Sequence, residues 1–281
     1  MRRLLLALAA CLWGLPAAAD PAPAARSGRF NVVTYNVAGL PEGLSRARPE
    51  RNLPLIGARL GKYDLAFVQE DYAYPLLLRS RLQLPYQSRP FERAGALHFG
   101  DGLSHFGKLP FGEVRRVAWR RCHGVLDSYS DCLTPKGLSM TRVEVSPGVV
   151  VDAYNVHLDA GRGAGDVAAR AEQLEQLFET IGEWSRERAV LLAGDFNLTT
   201  SELGELRRRA LAAGLREACD ELRCGQPWRL DRVLFRGDAA VALRARSWSL
   251  DRSLRDAQGA PLSDHLAVAV GFEWRTLSAG K

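Results

Sequence analysis

Lysine is scarce in this chain of 281 residues: only four of its 38 basic residues are lysines, and the others are arginines. With 32 acidic residues, the formal net charge is +6. Repeats and low-complexity segments are also missing, and 47% of the residues are hydrophobic. This composition excludes a disordered chain and allows a large core. The basic charge suits a polyanion or an anionic membrane, but an arginine-favouring codon bias has the same effect, so charge alone identifies no partner.

Long apolar runs are missing after residue 19, so the sequence predicts no membrane-spanning segment beyond that point. Residues 1–19 combine Arg2 and Arg3 with a short apolar run and a stretch of small residues before Asp20. This pattern is typical of a signal peptide cleaved near Asp20, and it predicts a secreted or periplasmic protein. A lipoprotein modified at Cys11 is the alternative, and the apolar residues that continue past Cys11 argue against it.

No segment with the composition of an interdomain linker occurs between residue 29 and the C-terminal tail. The Pro and Ala residues after the cleavage site predict a flexible leader over 20–28, and 276–281 are expected to form a short tail. Between them no shift in composition occurs, which predicts one domain over 29–275. We expect this domain to be a monomer.

Cysteine is also sparse, with five residues in the chain. Without Cys11 an even set remains, Cys122, Cys132, Cys219 and Cys224, which suits an oxidising compartment. Of the three pairings, the local one (122 with 132 and 219 with 224) is the most economical, and buried free thiols are the alternative. The cysteines and histidines show no spacing typical of a structural zinc site.

Four apolar runs rich in Val and Leu each end in polar residues. Runs of this length predict buried strands, and the helical periodicity between them predicts amphipathic helices. A chain of this size that mixes strands with helices predicts an α/β sandwich. The four strands are 30–35, 65–68, 149–154 and 189–193, the helices are 49–60, 166–184 and 202–213, and further strands are 114–119, 138–145, 232–235, 241–248 and 266–272.

The polar side chains that follow these strands are candidates for a shared pocket. A single Asp or Asn after a strand is most often a loop residue that satisfies its own backbone, but repetition at successive strand ends favours a pocket. Asn155 and His157 are two residues apart, as are Asp195 and Asn197, so an extended chain directs each pair to one face. The chain has five histidines, and two belong to this set. The set contains Asn36, Glu70, Asn155, His157, Asp195 and Asn197, followed near the C-terminus by Asp231, Asp264 and His265.

Six short motifs that carry these residues occur in a fixed order. They are Thr34-Tyr35-Asn36, Val68-Gln69-Glu70, Asn155-Val156-His157, Gly194-Asp195-Phe196-Asn197, Leu230-Asp231-Arg232 and Ser263-Asp264-His265. This ordered set resembles the endonuclease/exonuclease/phosphatase superfamily, which has the DNase I-like fold. The resemblance covers 29–274 and implies a four-layer αββα sandwich, with the site in the cleft where the two sheets meet at one end.

The resemblance implies a divalent cation held by Glu70 with Asn36 beside it, and Asp264 as a further ligand. Cleaving a phosphodiester builds charge on the phosphoryl, attacking and leaving oxygens, and a hard cation neutralises that charge. Mg²⁺ prefers carboxylates, water and substrate phosphate, so we expect Mg²⁺, with Mn²⁺ or Co²⁺ as substitutes. Asn155 is expected to donate a hydrogen bond to the substrate phosphate.

The same resemblance assigns catalytic roles to five side chains. Asp195 and Asn197 match the pair that orients the water and the phosphate. His265 matches the general base or the group that stabilises the phosphoryl charge, and Asp231 matches the carboxylate that fixes its tautomer. His157 is then a second imidazole that acts on the phosphate or the leaving group, and the roles of the two histidines are interchangeable at this stage.

Secondary features narrow the resemblance. They are Leu84-Pro85-Tyr86-Gln87, Asp101-Gly102, Lys108-Leu109-Pro110, the Cys122 and Cys132 pair before Lys136-Gly137, and Arg170 with Gln173-Leu174. Together they resemble the secreted bacterial sphingomyelinase C branch, which implies a phospholipid headgroup as substrate, in preference to nucleic acid, and peripheral membrane contact. The chain departs from that branch over 250–262, because no aromatic residue stands where those enzymes carry an aromatic-tipped hairpin that inserts into membranes.

Three alternatives stay open. Arginine-rich stretches at 115–121 and 207–209 suit a secreted DNase I-like nuclease, whose binding would depend steeply on salt. A phosphoinositide phosphatase uses the same set of residues on a phosphomonoester. A non-catalytic binding protein of this fold usually lacks a metal ligand or a histidine, whereas every principal motif residue is present here.

Overall fold

The computed structural model describes residues 26–91, 100–126 and 128–277. Within these ranges twelve strands form two six-stranded sheets. The strands are β1 (Ser27–Asn36), β2 (Leu65–Gln69), β3 (Tyr86–Gln87), β4 (Ser104–Gly107), β5 (Arg115–Ala118), β6 (Gly137–Ser146), β7 (Val149–His157), β8 (Val190–Asp195), β9 (Arg216–Glu217), β10 (Asp231–Arg236), β11 (Val241–Leu250) and β12 (Val268–Thr276). The first sheet has the order β11-β12-β1-β2-β4-β3, and the second has the order β5-β6-β7-β8-β10-β9.

In these ranges, four helices cover the outer faces of the two sheets, and the last, short helix packs against strands of both sheets. They are α1 (Pro49–Leu60), α2 (Pro75–Arg79), α3 (Ala164–Trp184), α4 (Leu203–Ala212) and α5 (Ala218–Glu221), with 3₁₀ turns at Ser128–Leu133 and Thr200–Glu202. Leu53 and Ile56 of α1 pack with Val33 on the first sheet, whereas Leu177 of α3 packs with Tyr154 on the second. In the described ranges, every helix is too short or too polar to span a membrane.

A further apolar cluster lies between the inner faces of the two sheets. Phe30 and Phe67 of the first sheet meet Val151, Leu191 and Phe235 of the second, and all five side chains are buried. The layers are therefore helix, sheet, sheet and helix. The predicted α/β four-layer sandwich is confirmed.

The long elements lie within two residues of their predicted bounds in most cases, and α1 matches the predicted helix. The helix α3 begins two residues early because the carboxylate of Asp166 accepts the backbone N–H of Gly163 at 2.8 Å, which caps the first turn. The short elements β3, β4, β9, α2 and α5 were not predicted, since two to five residues carry too little periodicity to be recognised.

Both predicted ends of the domain are wrong by one or two residues. Ser27, predicted as part of the 20–28 leader, belongs to β1 and pairs with Arg275 of β12. Thr276, predicted as the first tail residue, donates its backbone N–H to the carbonyl of Arg26 at 2.8 Å. Pairing between the two terminal strands orders both residues, and this long-range contact leaves no local signal in the sequence.

The disulfides are the local ones: Cys122 is bonded to Cys132, and Cys219 to Cys224. This pairing confirms the prediction from spacing. The predicted signal peptide over 1–19, its cleavage near Asp20 and the lipoprotein alternative at Cys11 lie outside the described residues.

Candidate active site

The register of the sheets brings the predicted side chains to one edge of the sandwich. Parallel strands end at the same edge, so Asn36 at the end of β1 lies beside Gln69 of β2, and His157 at the end of β7 lies beside Asp195 of β8. Asp231 begins β10, which is antiparallel, directly opposite Asp195. The carboxyl ends of four strands and the start of a fifth therefore meet at a single place.

A cleft of about 970 Å³ opens at this edge. Asn197 stands at its wall, where the backbone N–H of Asn197 donates to Asp195 Oδ1 at 3.0 Å and its side chain donates to the carbonyl of Leu158 at 3.0 Å. The predicted residues that line the cleft are Glu70, His157, Asp195, Asn197, Asp264 and His265.

The Oδ2 atom of Asp195 is the centre of the cluster. Asn36 Nδ2 donates to it at 3.0 Å and also to Glu70 Oε1 at 2.8 Å. The Nε2 atoms of His157 and His265 each lie 3.7 Å from the same oxygen. Asp195 is only 1% exposed, so its charge acts on its neighbours with little screening by water.

Two glycines allow the backbones to approach closely enough to build this cluster. Gly39 donates its N–H to the carbonyl of Glu70 at 3.0 Å, and a Cβ on Gly39 would lie 2.3 Å from that oxygen. Gly194 has a φ of 152°, and a Cβ there would lie 2.1 Å from the carbonyl oxygen of Val156. Glu70 itself has a φ of 60°, a conformation that costs a non-glycine residue about 1 kcal/mol or more and that occurs often at functional sites.

Hydrogen bonds to neighbouring residues orient His265. Its Nδ1 lies 3.1 Å from Asp231 Oδ2, and Asp231 is also held by Arg229 Nη2 at 3.3 Å. The hydroxyl of Ser263 accepts the backbone N–H of His265 at 3.2 Å and donates to the carbonyl of Asn36 at 2.7 Å. Nδ1–H therefore points at Asp231, which leaves Nε2 facing the cleft.

The two histidines have opposite electrostatic environments. Burial alone lowers the pKa of His265, but the carboxylates of Asp231 and Asp195 outweigh it and raise that pKa to about 10. Burial, together with the charges of Lys136 and His265, holds the pKa of His157 well below its ordinary value. His157 is 1% exposed, and its Nε2 lies 3.7 Å from Asp195 Oδ2 and 3.9 Å from Glu70 Oε1, so these carboxylates favour the tautomer with the proton on Nε2. The structure thus pairs a charged imidazole with a neutral one across Asp195.

Lys136 is a buried charged side chain beside the site, where the motif analysis did not place it. Its buried ammonium lies 2.5 Å from Asp131 Oδ1 and donates to the carbonyl of Leu158 at 3.4 Å. The charge of Lys136 lowers the pKa of Glu70 and of Asp195, although burial leaves both pKa values raised above their ordinary range. The signal that would have found it is the scarcity of lysine in an arginine-rich chain.

The carboxylates of Glu70 and Asp195 have the chemistry of a divalent-cation site. Their Oε1 and Oδ2 atoms converge on one amide group of Asn36, and burial raises the pKa of each carboxyl even though the positive charges of Lys136 and His265 act to lower it. Asn36 presents its NH₂ group to them, and its Oδ1 accepts the N–H of Ala38 at 3.0 Å. The structure therefore shows Asn36 beside Glu70, as a link between the two carboxylates, and its part in holding a metal stays a prediction.

A second acidic group lies on the other side of Asp195. Ligand atoms of Asp195, Asp231 and His265 all lie within 4.8 Å of one another. Asp231 already accepts hydrogen bonds from His265 and Arg229, so a cation bound to it would compete with the contacts that orient His265. The Glu70 side of Asp195 is therefore the better metal site.

Asp264, predicted as a further metal ligand, is exposed and lines the cleft. It raises the pKa of its neighbour His265, and the structure shows no contact between Asp264 and Glu70.

Asn155 does not reach the cleft, so its predicted contact with the substrate phosphate is not what the structure shows. Its side chain is completely buried and donates to the carbonyls of Val68 at 2.9 Å and Ser104 at 3.2 Å. Its Oδ1 accepts Gln69 Nε2 at 2.6 Å. Asn155 and His157 do share a face, but that face points between the sheets, and only the last residue of the strand opens into the cleft.

The fold and this cluster define the class of the protein, and sequence comparison gives the same answer. The profile of the Endonuclease/Exonuclease/phosphatase family matches residues 33–265, and the chain belongs to that family. Among curated relatives, it is 32% identical over 270 residues to a sphingomyelinase of Mycobacterium tuberculosis, an alignment that covers 88% of this chain and 53% of the relative. The chain thus spans about half the length of that relative.

Solved structures share the fold at low sequence identity. Beta toxin from Staphylococcus aureus, with bound magnesium ions, matches with a TM-score of 0.62 at 16% identity and covers 86% of this chain and 99% of the toxin. D. rerio TDP2, complexed with a single-strand DNA product, matches with a TM-score of 0.65 at 18% identity and covers 87% of this chain and 98% of TDP2.

Proposed function

We propose that this protein is a secreted, Mg²⁺-dependent phosphodiester hydrolase of the sphingomyelinase C type, which releases phosphocholine by attack of water on phosphorus. The observation that carries the proposal is the single Asp195 oxygen that faces Asn36, His157 and His265 at the bottom of one cleft. A phosphoryl group seated there would meet proton-transfer groups on both sides and carboxylates for a cation. The sphingomyelinase relative supports the choice of substrate.

The side chains divide the work of an in-line displacement. His265, oriented by Asp231, exchanges a proton with the attacking water through Nε2. The carboxylates of Asp231 and Asp195 hold a proton on His265, so neutralising the charge of Asp195 would lower the pKa of His265 and let Nε2 accept the proton of the water. The water oxygen forms a bond to phosphorus as the bond from phosphorus to the ceramide oxygen breaks, and the ceramide oxygen takes up a proton from solvent as it leaves. His157 Nε2–H donates a hydrogen bond to a phosphoryl or leaving oxygen, and Asn197 helps to position the phosphate.

Glu70 and Asp195 would hold the cation on the side of the cleft opposite Asp231. When bound, Mg²⁺ supplies charge neutralisation at the phosphoryl oxygens, and Mn²⁺ or Co²⁺ would substitute for it. The magnesium ions in the structurally similar beta toxin support this choice of metal.

The metal assignment is tested by activity on sphingomyelin in detergent micelles as a function of Mg²⁺ concentration. We expect Glu70→Gln to raise the Mg²⁺ concentration for half-maximal activity by about tenfold or more, because it removes a charged ligand. Glu50→Gln, an exposed change on the first turn of α1, is the matched control and should leave the curve unchanged. Full activity in EDTA would overturn the metal-dependent mechanism.

A nuclease is the second candidate, because TDP2 shares the fold and was crystallised with a DNA product. Plasmid nicking and sphingomyelin hydrolysis, measured on the same preparation with Mg²⁺, separate the two candidates. Nicking that is abolished by Asp195→Ala, without phosphocholine release, would move the assignment to nucleic acid.

Export is the remaining part of the proposal. The signal-peptide pattern at 1–19 and the two disulfides both suit a secreted or periplasmic protein. Mass spectrometry of the culture medium or periplasm should find a chain that begins near Asp20, and the intact N-terminus in the cytoplasm would contradict export.

A further inference from the structure

Two large apolar side chains are exposed at the mouth of the cleft. Trp228, between α5 and β10, is 60% exposed, and Leu44, between β1 and α1, is 72% exposed. Both line the cleft that contains His157 and Asp195, which are themselves 1% exposed. An indole and a leucine at the entrance of a polar site contribute little to packing, so they are available for a partner that approaches the cleft.

Two arginine hydrogen bonds and a disulfide anchor the loop that carries Trp228. Arg232 Nη2 donates to the carbonyl of Pro227 at 2.7 Å, and Arg229 Nη2 donates to the carbonyl of Leu266 at 3.1 Å. The Cys219–Cys224 disulfide closes the turn just before the loop. The backbone that carries Trp228 is therefore held in place, which reduces the backbone entropy lost when a partner covers the indole.

Arginines accompany the apolar side chains. Arg46 and Arg162 are exposed, line the same cleft and form no ion pair with a carboxylate in the ranges that the structure describes. An interface between lipid and water offers apolar chains to an indole and a leucine, and phosphate groups to guanidinium groups. The rim of the cleft thus has the mixed chemistry that such an interface requires.

The loop between β11 and β12 packs against α1, unlike the exposed loop that carries Trp228. Leu254 and Leu262 of this loop are buried in the cluster under α1, and Asn52 Nδ2 donates to the carbonyl of Leu262 at 2.9 Å. Arg51 Nη2 also holds Asp256 at 3.0 Å. This loop packs on α1, so its two leucines are not available to a membrane.

We propose that Trp228 and Leu44 are the side chains through which this protein contacts a lipid–water interface, with Arg46 and Arg162 on lipid phosphates. The proposal rests on the proposed function, since a lipid-embedded phosphodiester must reach a site at the bottom of the cleft. Contact at the rim brings the interface to the entrance of that site.

Vesicle binding tests this surface without turnover. Vesicles of sphingomyelin and phosphatidylcholine are sedimented with the protein in EDTA, and the bound fraction is compared for wild type, Trp228→Ser/Leu44→Ser and Leu211→Ser. We expect the double variant to partition about tenfold or more weakly, because two apolar side chains no longer enter the interface. Leu211, 79% exposed on α4 and outside the cleft, is the matched control and should bind as wild type does. Thermal melts confirm that both variants are folded.

Activity on a monomeric substrate separates this inference from the proposed function. Wild type that hydrolyses bis(p-nitrophenyl) phosphate with Mg²⁺ but fails to bind vesicles would overturn the interface alone. Vesicle binding that depends on Trp228, without hydrolysis of either substrate, would support the interface and overturn the proposed function. Equal vesicle binding by the double variant and wild type, or Trp228-dependent binding to single-stranded DNA in place of vesicles, would overturn the inference.

Discussion

The buried carboxylate of Asp231 sets the orientation of His265 and helps to set its pKa. It holds His265 Nδ1 at 3.1 Å, and with Asp195 it raises the pKa of that imidazole. We predict that Asp231→Asn lowers kcat by about 10²–10⁴-fold, since the amide loses the charge and no longer fixes the tautomer. Steady-state rates on micellar sphingomyelin measure the effect.

The control for Asp231→Asn is Asp220→Asn, because Asp220 is an exposed partner of Arg207 far from the cleft. It should keep the wild-type rate. An Asp231→Asn protein with an unchanged rate would show that the carboxylate does not orient His265.

Asn155 illustrates where residue-level reasoning from sequence stops. Its spacing from His157 correctly predicted a shared face, but the depth of each side chain along that face depends on the opposite sheet, which no local pattern encodes. The same limit hid Lys136 and Gln69, whose roles arise from contacts across the sandwich. By contrast, Glu70, His157, Asp195 and His265 could be found because each follows or precedes a strand whose end is visible in the sequence.

The Asn155 contacts predict a structural role. Asn155→Ala leaves the carbonyls of Val68 and Ser104 without their side-chain donor between the sheets. It also removes one acceptor of Gln69 Nε2, which still donates to Thr34 Oγ1 at 3.0 Å. We expect a loss of about 2–4 kcal/mol in the free energy of unfolding, because each buried unsatisfied group costs about 1–3 kcal/mol. Urea denaturation measures it, and a loss below about 0.5 kcal/mol would contradict the assigned contacts.

At the scale of elements, a second polar contact joins the two sheets. His105 of β4 lies 2.8 Å from Ser139 of β6, and burial, with a smaller effect of Arg116, lowers the pKa of His105 to about 3. The fold therefore favours the neutral imidazole. Its contribution to stability is complete above the unfolded pKa of about 6.5 and is lost as the pH falls from there toward 3.

His105→Gln removes this titration and retains a side-chain amide near Ser139. We predict that the stability of wild type falls more steeply than that of the variant between pH 6.5 and 3, by up to about 1.4 kcal/mol per pH unit. Urea denaturation at several pH values measures both slopes. Parallel curves would show that His105 does not contribute to acid sensitivity.

The length of a strand or helix decided whether it could be predicted from the sequence. The long strands and helices were predicted because burial on one or both faces repeats over many residues, as in β7 and α3. The strand β4, with the sequence Ser-His-Phe-Gly, has no such repeat and is a strand only because β2 and β3 pair with it. Its formation is set by tertiary contacts, which is why the edge of the first sheet could not be read from the sequence.

At the scale of the whole molecule, two short disulfides brace loops beside the cleft. The Cys122–Cys132 loop is tied to the cleft wall by His123 N–H, which donates to Asp159 Oδ2 at 2.7 Å. We predict that Cys122→Ser/Cys132→Ser lowers the free energy of unfolding by about 2–3 kcal/mol, from the closure entropy of a short loop. Denaturation with and without reductant measures it, and an unchanged wild type in reductant would contradict a stabilising role.

The sandwich as a whole brings two incomplete half-sites together. The first sheet supplies Asn36 and Glu70, the second supplies His157, Asp195 and Asp231, and His265 enters from the loop before β12. We propose that this joined site directs water to phosphorus. Hydrolysis of sphingomyelin in H₂¹⁸O with Mg²⁺, followed by mass spectrometry of both products, shows which atom the water attacks. We predict ¹⁸O in phosphocholine and none in ceramide, with both products absent in the Asp195→Ala protein. Label in ceramide, or no hydrolysis by wild type, would contradict it.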